Sequence, residues 1–254
     1  MLKYEAIDND KEEWVVFIHG IGGSTKTWKK QIEPFSKKFN LLLLDLPGHG
    51  NNANNIIRKV DINKLYKGIK DTLDSLKIKT AHFIGMSLGT LVIAEFVTIY
   101  PEYVKDMILG GSILEVTGIH RKSLRMANAI KNCVPYKTLY KFFTWFMMPK
   151  RNHEKSRKIF LREVVKLDKH TMKAYISYIQ RALKSRDTVR KINRLDKKIL
   201  LISGNEDHCF IKGTKTLINK INNAKLVILE KCGHVCTIEK HQEFNKLALE
   251  FICG

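Results

Sequence analysis

Apolar residues in this chain fall into short continuous runs, separated by segments in which apolar positions recur at helical spacing. Continuous apolar runs are typical of strands that are buried on both faces of a sheet. The predicted strands are residues 14–18, 41–44, 81–85, 104–109, 198–203 and 225–229. Because helical segments alternate with these runs, the pattern predicts an α/β fold with a doubly wound, mostly parallel sheet.

The alternation stops in the middle of the chain. From Glu115 to Arg194 the pattern is mostly helical and contains no clear buried strand, and the strands resume at Lys198. We therefore expect a core made of residues 1–112 and 197–254, with a helical, basic cap inserted at residues 113–196. We call this insertion the cap segment.

Charge separates the same segment from the rest of the chain. The formal net charge is +20, and residues 112–198 hold 23 Lys and Arg against 6 Asp and Glu. The remaining residues hold 22 against 19, so a lysine-rich composition throughout does not explain the asymmetry. We expect the cap segment to have its own electrostatic role, in attracting an anionic substrate or surface.

The cellular location is predicted from what the sequence lacks. Five cysteines, an odd number spread over 254 residues, argue against a disulfide framework and for a reducing compartment. The first fourteen residues contain no apolar stretch of signal-peptide length, and no run approaches the ~18 apolar residues of a membrane span. The sequence therefore predicts a cytoplasmic protein.

A serine stands at the end of the third predicted strand, where a helix-prone run begins at once. Ser87 is flanked by Gly85 and Gly89. A strand-to-helix turn this sharp leaves no space for side chains two residues before and after its apex, and it exposes the serine hydroxyl. Ser87 is thus a candidate nucleophile, although a helix N-cap is its simpler alternative.

A serine nucleophile needs a base that takes its proton and a carboxylate that orients the base. Asp207 and His234 both follow predicted strands, and the carboxyl ends of parallel strands share one edge of the sheet. They complete the order nucleophile, acid, base. Glu206 is an alternative acid beside Asp207, and His19 also follows a strand, where a structural role is expected.

Five motifs in this order resemble those of capped α/β-hydrolases. They are His19-Gly20-Ile21-Gly22-Gly23, Asp45-Leu46-Pro47-Gly48-His49-Gly50, Gly85-Met86-Ser87-Leu88-Gly89, Gly204-Asn205-Glu206-Asp207 and Gly233-His234. The resemblance implies a Ser87-Asp207-His234 triad and an oxyanion hole formed by the backbone N–H groups of Ile21 and Leu88, with Gly22 a weaker candidate. Thr90 departs from the family, in which many members carry a second glycine there.

The most apolar stretch of the cap segment is residues 142–149, flanked by lysine and arginine. These aromatic residues can cover the active site. Alternatively, they can insert into an anionic membrane while the basic residues contact headgroups. The candidate substrate-pocket residues are Gly22, Met86, Phe143, Trp145 and Phe146.

The sequence predicts a serine hydrolase that cleaves carboxylic esters with an apolar acyl part. Alternatives are a lysophospholipase or monoacylglycerol lipase at anionic membranes, a hydrolase of carbon–carbon bonds in an anionic metabolite, and a ligand sensor that retains the triad. We expect no cofactor, no metal and no specific nucleic acid, because no spacing typical of such sites is present. The oligomeric state stays open.

Overall fold

Seven strands form a single sheet in the order β1-β3-β2-β4-β5-β6-β7. The structure is a computed structural model, and it describes residues 1–117, 135–185 and 187–254. Only β1 runs antiparallel, against β3, and every other neighbouring pair is parallel. The strands are β1 (Lys3–Ile7), β2 (Trp14–Ile18), β3 (Asn40–Asp45), β4 (Ala81–Met86), β5 (Val104–Gly110), β6 (Lys198–Gly204) and β7 (Ala224–Leu229). The predicted fold class is confirmed.

The sequence pattern did not predict β1. Its residues are mostly exposed, and charged side chains such as Lys3 and Glu5 interrupt the apolar pattern. The strand lies at the edge of the sheet, where only one side pairs with a neighbour and a polar sequence is tolerated. The continuous burial that identified the other strands is therefore missing.

Helices cover both faces of the sheet. Alternate residues of β2 point in opposite directions, so that Val16 and Ile18 join one apolar cluster while Val15 and Phe17 join another. The described helices are α1 (Lys29–Ser36), α2 (Ile62–Ser75), α3 (Leu88–Val97), α4 (Tyr136–Met147), α5 (Glu154–Val164), α6 (Lys169–Ser185), α7 (Asp187–Ile192), α8 (Ile211–Leu217), α9 (Cys236–Glu239) and α10 (His241–Cys253). Each face of the sheet thus has its own packed core.

The chain reverses its direction of winding at β2. From β2 it passes to β3 on one side, and it later returns to place β4 on the other side. Ile18 and Gly85 pair near the carboxyl ends of β2 and β4, so the loops that follow these strands leave the sheet side by side. Such a switch point opens a crevice at the sheet edge, where ligands bind in open α/β sheets.

The described part of the cap segment is helical, and α6 anchors it to the core. Tyr178 lies on α6, and its hydroxyl is 2.8 Å from the hydroxyl of Tyr66 on α2 and 2.8 Å from Glu95 Oε2 on α3. Tyr66 also donates a hydrogen bond to Glu95. Within residues 1–117, 135–185 and 187–254, no helix combines the length and hydrophobicity needed to cross a membrane.

We predict that Tyr178→Phe lowers the free energy of unfolding by about 1–2 kcal/mol, because Tyr66 and Glu95 each lose one hydrogen-bond partner in this network. Urea unfolding measures the change. Tyr103→Phe is the matched control: the Tyr103 hydroxyl donates to Asp74 at the surface, and its loss is expected to cost less than about 1 kcal/mol. Equal effects of the two substitutions would contradict the anchoring role of Tyr178.

Candidate active site

Ser87 has a strained backbone conformation between β4 and α3. Its φ is 53° and its ψ is −112°, in a region that L-residues rarely adopt. The turn depends on close backbone approach, since a Cβ on Gly89 would lie 2.0 Å from the carbonyl oxygen of Ile18. A Cβ on Gly85 would lie 2.7 Å from the carbonyl carbon of Gly89. The flanking glycines are therefore a steric requirement of the elbow.

Ser87, His234 and Asp207 lie in one hydrogen-bonded line. The Oγ of Ser87 is 2.9 Å from Nε2 of His234, and Nδ1 of His234 is 2.8 Å from Oδ2 of Asp207. Asp207 is fully buried and accepts a hydrogen bond from the Nδ1 N–H, so Nε2 is left as an acceptor for the serine hydroxyl. The Phe210 ring lies beside the imidazole, with 4.9 Å between ring centroids. This is the geometry that proton transfer from serine to histidine requires.

Glu206, the alternative acid, points away from His234. Its carboxylate contacts Lys150, Asn152 and His153 of the cap segment at 2.6–3.0 Å. Burial alone would raise the pKa of Glu206, but hydrogen bonds from these three side chains outweigh it and hold the pKa at about 2. Of the two neighbouring carboxylates, only Asp207 is placed to orient the imidazole.

The loop after β2 lies directly against the elbow. A Cβ on Gly20 would be 3.3 Å from the Cβ of Ser87, and the N–H of Gly23 donates to the carbonyl of Gly20 at 2.9 Å. Ile21 occupies the tip of this turn. Leu88 is the first residue of α3, so its N–H has no acceptor within the helix and points out from the positive end of the helix dipole. Both predicted oxyanion donors thus belong to backbone that borders Ser87.

His19 braces this loop and does not reach Ser87 through any hydrogen bond of the described residues. Its Nδ1 donates to the carbonyl of Gly20 at 2.8 Å, and its Nε2 accepts from the N–H of Leu46 at 3.1 Å. Burial lowers the pKa of His19, which keeps the imidazole neutral. Asp45 supports the same region by accepting from the backbone N–H groups of Thr25 and Asn51.

A small apolar cavity of about 50 Å³ opens beside Ser87 and His234. Its apolar walls are Ile21, Trp28, Met86, Met147, Phe160, Val235 and Ile238. Among the residues that the structure describes, no Lys, Arg, Asp or Glu lines this cavity. The described walls beside the serine are therefore suited to an apolar group.

A comparison with family models identifies the fold. The model described as alpha/beta hydrolase fold matches residues 13–157, which is more than half of the chain. The chain belongs to the α/β-hydrolase fold family. The match covers β2, the elbow and the start of the cap segment, while the geometry above joins Asp207 and His234 to them.

Relatives of this α/β-hydrolase cover nearly its whole length. It is 26% identical to 2-hydroxy-6-oxo-6-phenylhexa-2,4-dienoate hydrolase of Comamonas testosteroni, over 94% of this chain and 87% of that protein. It is 19% identical to human monoacylglycerol lipase ABHD6, over 94% of this chain and 75% of that one. The enol-lactonase of Burkholderia xenovorans LB400 superposes with a TM-score of 0.83 at 20% identity, over 100% and 96% of the two chains. The chain is accordingly a hydrolase.

The predicted pocket residues have different outcomes. Met86 lines the cavity, whereas Gly22 is absent from its walls. The side chains of Phe143 and Phe146 lie outside the described residues. Trp145 is 59% exposed and is not among the described residues that line this cavity, so its role in the pocket stays a prediction. Met147 lines the cavity from the same helix. Two residues along a helix correspond to about half a turn, so Met147 and Trp145 face opposite ways.

Two wall residues and one brace were missed by sequence reasoning. Met147 and Phe160 line the cavity from the cap segment, and nothing in their local sequence distinguishes them from other apolar residues. Thr90 was noted only as a departure from the family. Its hydroxyl donates to the carbonyl of Ser87 at 2.6 Å and accepts from the N–H of Ile113 at 3.3 Å, which ties the elbow to the segment after β5.

The buried cysteines offer no competing nucleophile. Burial raises the pKa of the Cys209 thiol to about 12, and it raises the pKa values of Cys232 and Cys236 further. The thiols therefore stay protonated at neutral pH. Within the part of the chain that the structure describes, no group of three or more His, Cys, Asp or Glu side chains could hold a metal ion.

We predict that Glu206 makes stability depend on pH. Its folded pKa of about 2 lies below the ordinary value of about 4.3, so its stabilising contribution is present above pH 5 and is lost as the pH falls toward 2. Glu206→Gln should therefore lower the free energy of unfolding at pH 7 and flatten its decrease between pH 5 and 2. Urea unfolding across this range measures both effects.

Glu243→Gln is the control for this prediction. Glu243 is an exposed carboxylate of α10, 3.2 Å from Lys240, and solvent screens that ion pair. The variant is expected to keep the wild-type slope. An unchanged slope in Glu206→Gln as well would show that the contacts with the cap segment do not stabilise the Glu206 carboxylate.

Proposed function

We propose that this protein is a serine hydrolase that cleaves carboxylic esters through an acyl-enzyme intermediate. The observation that carries the proposal is the line from Ser87 to His234 to Asp207, with spacings of 2.9 Å and 2.8 Å, beside an uncharged apolar cavity. A nucleophile, a base and an orienting acid in this order are the requirement for acyl transfer at a serine.

The reaction has two halves. In the first, His234 Nε2 takes the hydroxyl proton while Ser87 Oγ attacks the ester carbonyl carbon, and the same imidazole then protonates the departing alcohol. In the second, His234 takes a proton from water, the resulting hydroxide attacks the acyl carbon, and the carboxylic acid leaves as Ser87 recovers its proton. Asp207 holds the imidazole and stabilises its positive charge in both halves.

The backbone N–H groups of Leu88 and Ile21 are the proposed oxyanion hole. The carbonyl oxygen becomes negative only in the transition state, so donors fixed around that position lower the barrier, by about 3 kcal/mol each. The backbone supports this assignment because Leu88 begins α3 and the Gly20 turn presses against Ser87. Neither donor depends on a side chain that has to reorganise during the reaction.

The cavity favours esters with a short, neutral acyl group. Its volume of about 50 Å³ accommodates a few atoms, since one water molecule needs roughly 10–15 Å³ by this measure. Its described walls are hydrophobic, and a carboxylate placed there would lose its hydration without gaining a cation. A short-chain ester meets both conditions.

Hydrolysis of a carbon–carbon bond in an anionic metabolite is the second candidate. The relative from Comamonas testosteroni supports it, because that protein is named for a dienoate substrate and aligns with 94% of this chain. A dienoate carries a carboxylate, and the described cavity walls hold no basic side chain that would bind it. We therefore rank this reaction below ester cleavage.

Action on lipid esters at an anionic membrane is a third candidate, favoured by exposed aromatic residues on α4. Phe142 and Trp145 lie three residues apart on this helix and are 60% and 59% exposed, with Lys141 and Arg151 exposed nearby. Met147, at the end of the same helix, lines the cavity. Insertion of these rings into a bilayer would bring the cavity close to lipid esters. The similarity to a monoacylglycerol lipase also supports this candidate.

Turnover of p-nitrophenyl esters from acetate to palmitate tests the main proposal. We expect the highest kcat/KM at short acyl chains, and a loss of at least about 10⁴-fold in Ser87→Ala. Ser75→Ala, a serine at the end of α2 remote from the triad, should match the wild type. Absence of serine-dependent turnover on every ester, together with turnover of a ring-fission dienoate, would contradict ester cleavage and favour the second candidate. Specific ligand binding without any turnover would favour the alternative of a ligand sensor that retains the triad.

Sedimentation with phosphatidylglycerol vesicles tests the third candidate. Phe142→Ser combined with Trp145→Ser should weaken binding by about tenfold, because two exposed rings no longer enter the interface. Binding should also weaken with added salt, since basic residues contact the headgroups. Ile99→Ser is the control, because Ile99 is a 48% exposed apolar residue of the core. Wild-type binding by the double variant would contradict membrane contact through α4.

A further inference from the structure

One turn of the cap segment packs against the two loops that carry Asp207 and His234. The turn is a short 3₁₀ helix, Arg151–His153, between α4 and α5. Lys150, Asn152 and His153 of this turn meet Glu206 and Glu239 of the core. We call these five residues the cap–loop cluster.

His153 is at the centre of the cap–loop cluster and is fully buried. Its Nδ1 accepts from the N–H of Lys150 at 3.4 Å, so the ring proton lies on Nε2. Nε2 donates to Oε2 of Glu206 at 2.7 Å and is 3.5 Å from Oε2 of Glu239. One imidazole from the cap segment thus stands between two carboxylates of the core.

Glu206 connects His153 to the acid of the triad. It directly precedes Asp207, and its N–H donates to the carbonyl of Cys232 at 2.8 Å. Its side chain also accepts from Lys150 at 2.6 Å and from Asn152 at 3.0 Å. Contacts with the cap segment therefore hold the residue next to Asp207 and join its loop to that of His234.

Glu239 connects His153 to the base of the triad. Its carboxylate accepts from the N–H of Gly233 at 2.7 Å and from the N–H of Val235 at 3.2 Å, the two residues that flank His234. Its side chain is only 4% exposed. A Cβ on Gly233 would lie 3.1 Å from both the Glu239 carboxylate and the His153 ring, so this glycine is what allows the three groups to pack together.

We propose that His153 is a positioning residue, which holds Glu206 and Glu239 and through them aligns Asp207 with His234. It touches no reacting atom. Asp207 and His234 are aligned when the Lys150–His153 turn packs against the core. Activation of Ser87 therefore depends on the position of the cap segment. The inference rests on the proposed function, because alignment matters only if Ser87 is the nucleophile.

The expected size of the effect follows from the geometry of proton transfer. The hydroxyl proton moves over one short hydrogen bond, and a displacement of about 1 Å can lower a rate about 100-fold. His153→Ala removes the donor to Glu206 and leaves space beside Gly233, so both loops gain freedom. A change in substrate binding alone would raise KM, whereas a loss of alignment lowers kcat.

The test is the rate at which a fluorophosphonate probe labels Ser87, a reaction that forms a bond from Oγ to phosphorus and releases fluoride. His153→Ala should lower this rate by at least about tenfold, and it should lower kcat on the best ester with little change in KM. His153→Gln should recover most of the rate, because its amide N–H can reach Glu206. The downfield NMR signal of the His234 Nδ1 proton should broaden in His153→Ala and persist in His153→Gln.

Two controls separate positioning from general damage. His170→Ala removes another histidine of the cap segment and should leave labelling and the NMR signal unchanged. Glu239→Gln should broaden the signal, since an amide offers one acceptor oxygen to two N–H groups, while Glu243→Gln, four residues on, should not.

A wild-type rate and an unchanged signal in folded His153→Ala would overturn the proposal. If the wild-type protein is not labelled at Ser87, the proposed function fails, and the NMR signal still decides the role of His153.

Discussion

The positive-φ backbone of Ser87 is the constraint on which the rest of the site depends. An L-residue with φ of 53° is held there at a cost of order 1–3 kcal/mol and persists only where the surroundings leave no alternative. Here the surroundings are backbone: α3 approaches the carboxyl end of β2 so closely that Gly89 has no room for a Cβ. The packing of the sheet and helix therefore sets the direction of the serine hydroxyl.

The two sides of the cap segment are attached to the core in different ways. Tyr178 ties α6 to α2 and α3 through a buried hydroxyl network, remote from the triad. The Lys150–His153 turn instead contacts the loops that bear Asp207 and His234, through polar and charged side chains. Helices α4 and α5, which flank that turn, contribute Met147 and Phe160 to the cavity. The substrate space and the alignment of the triad are thus shaped by the same segment.

The sequence predicted those features that a local steric or chemical need determines. Gly85 and Gly89 indicate the elbow, because a larger side chain does not fit at either position. Continuous apolar runs indicate the inner strands. Edge strand β1 was missed because its exposed residues carry no apolar period. The exposure of Trp145 and the place of Met147 in the cavity wall were not predictable, because composition shows that α4 is apolar but does not show which face meets the cavity.

Long-range pairing is the part that local sequence cannot report. His153 and Glu206 are 53 residues apart, and His153 and Glu239 are further apart still. Each of these residues is ordinary for a surface, and only the folded chain removes them from water together. Long-range contacts also distinguish the adjacent carboxylates Glu206 and Asp207. Glu206 meets Asn152 of the cap segment, whereas Asp207 meets His234.

The most direct test of the account is to trap the covalent intermediate. The protein is mixed with p-nitrophenyl butyrate, quenched in acid during turnover, digested and analysed by mass spectrometry. The account predicts a butyryl group on the peptide that contains Ser87, formed and lost at rates consistent with kcat. Turnover without any adduct, or an adduct on another residue, would contradict a mechanism in which Ser87 is the nucleophile.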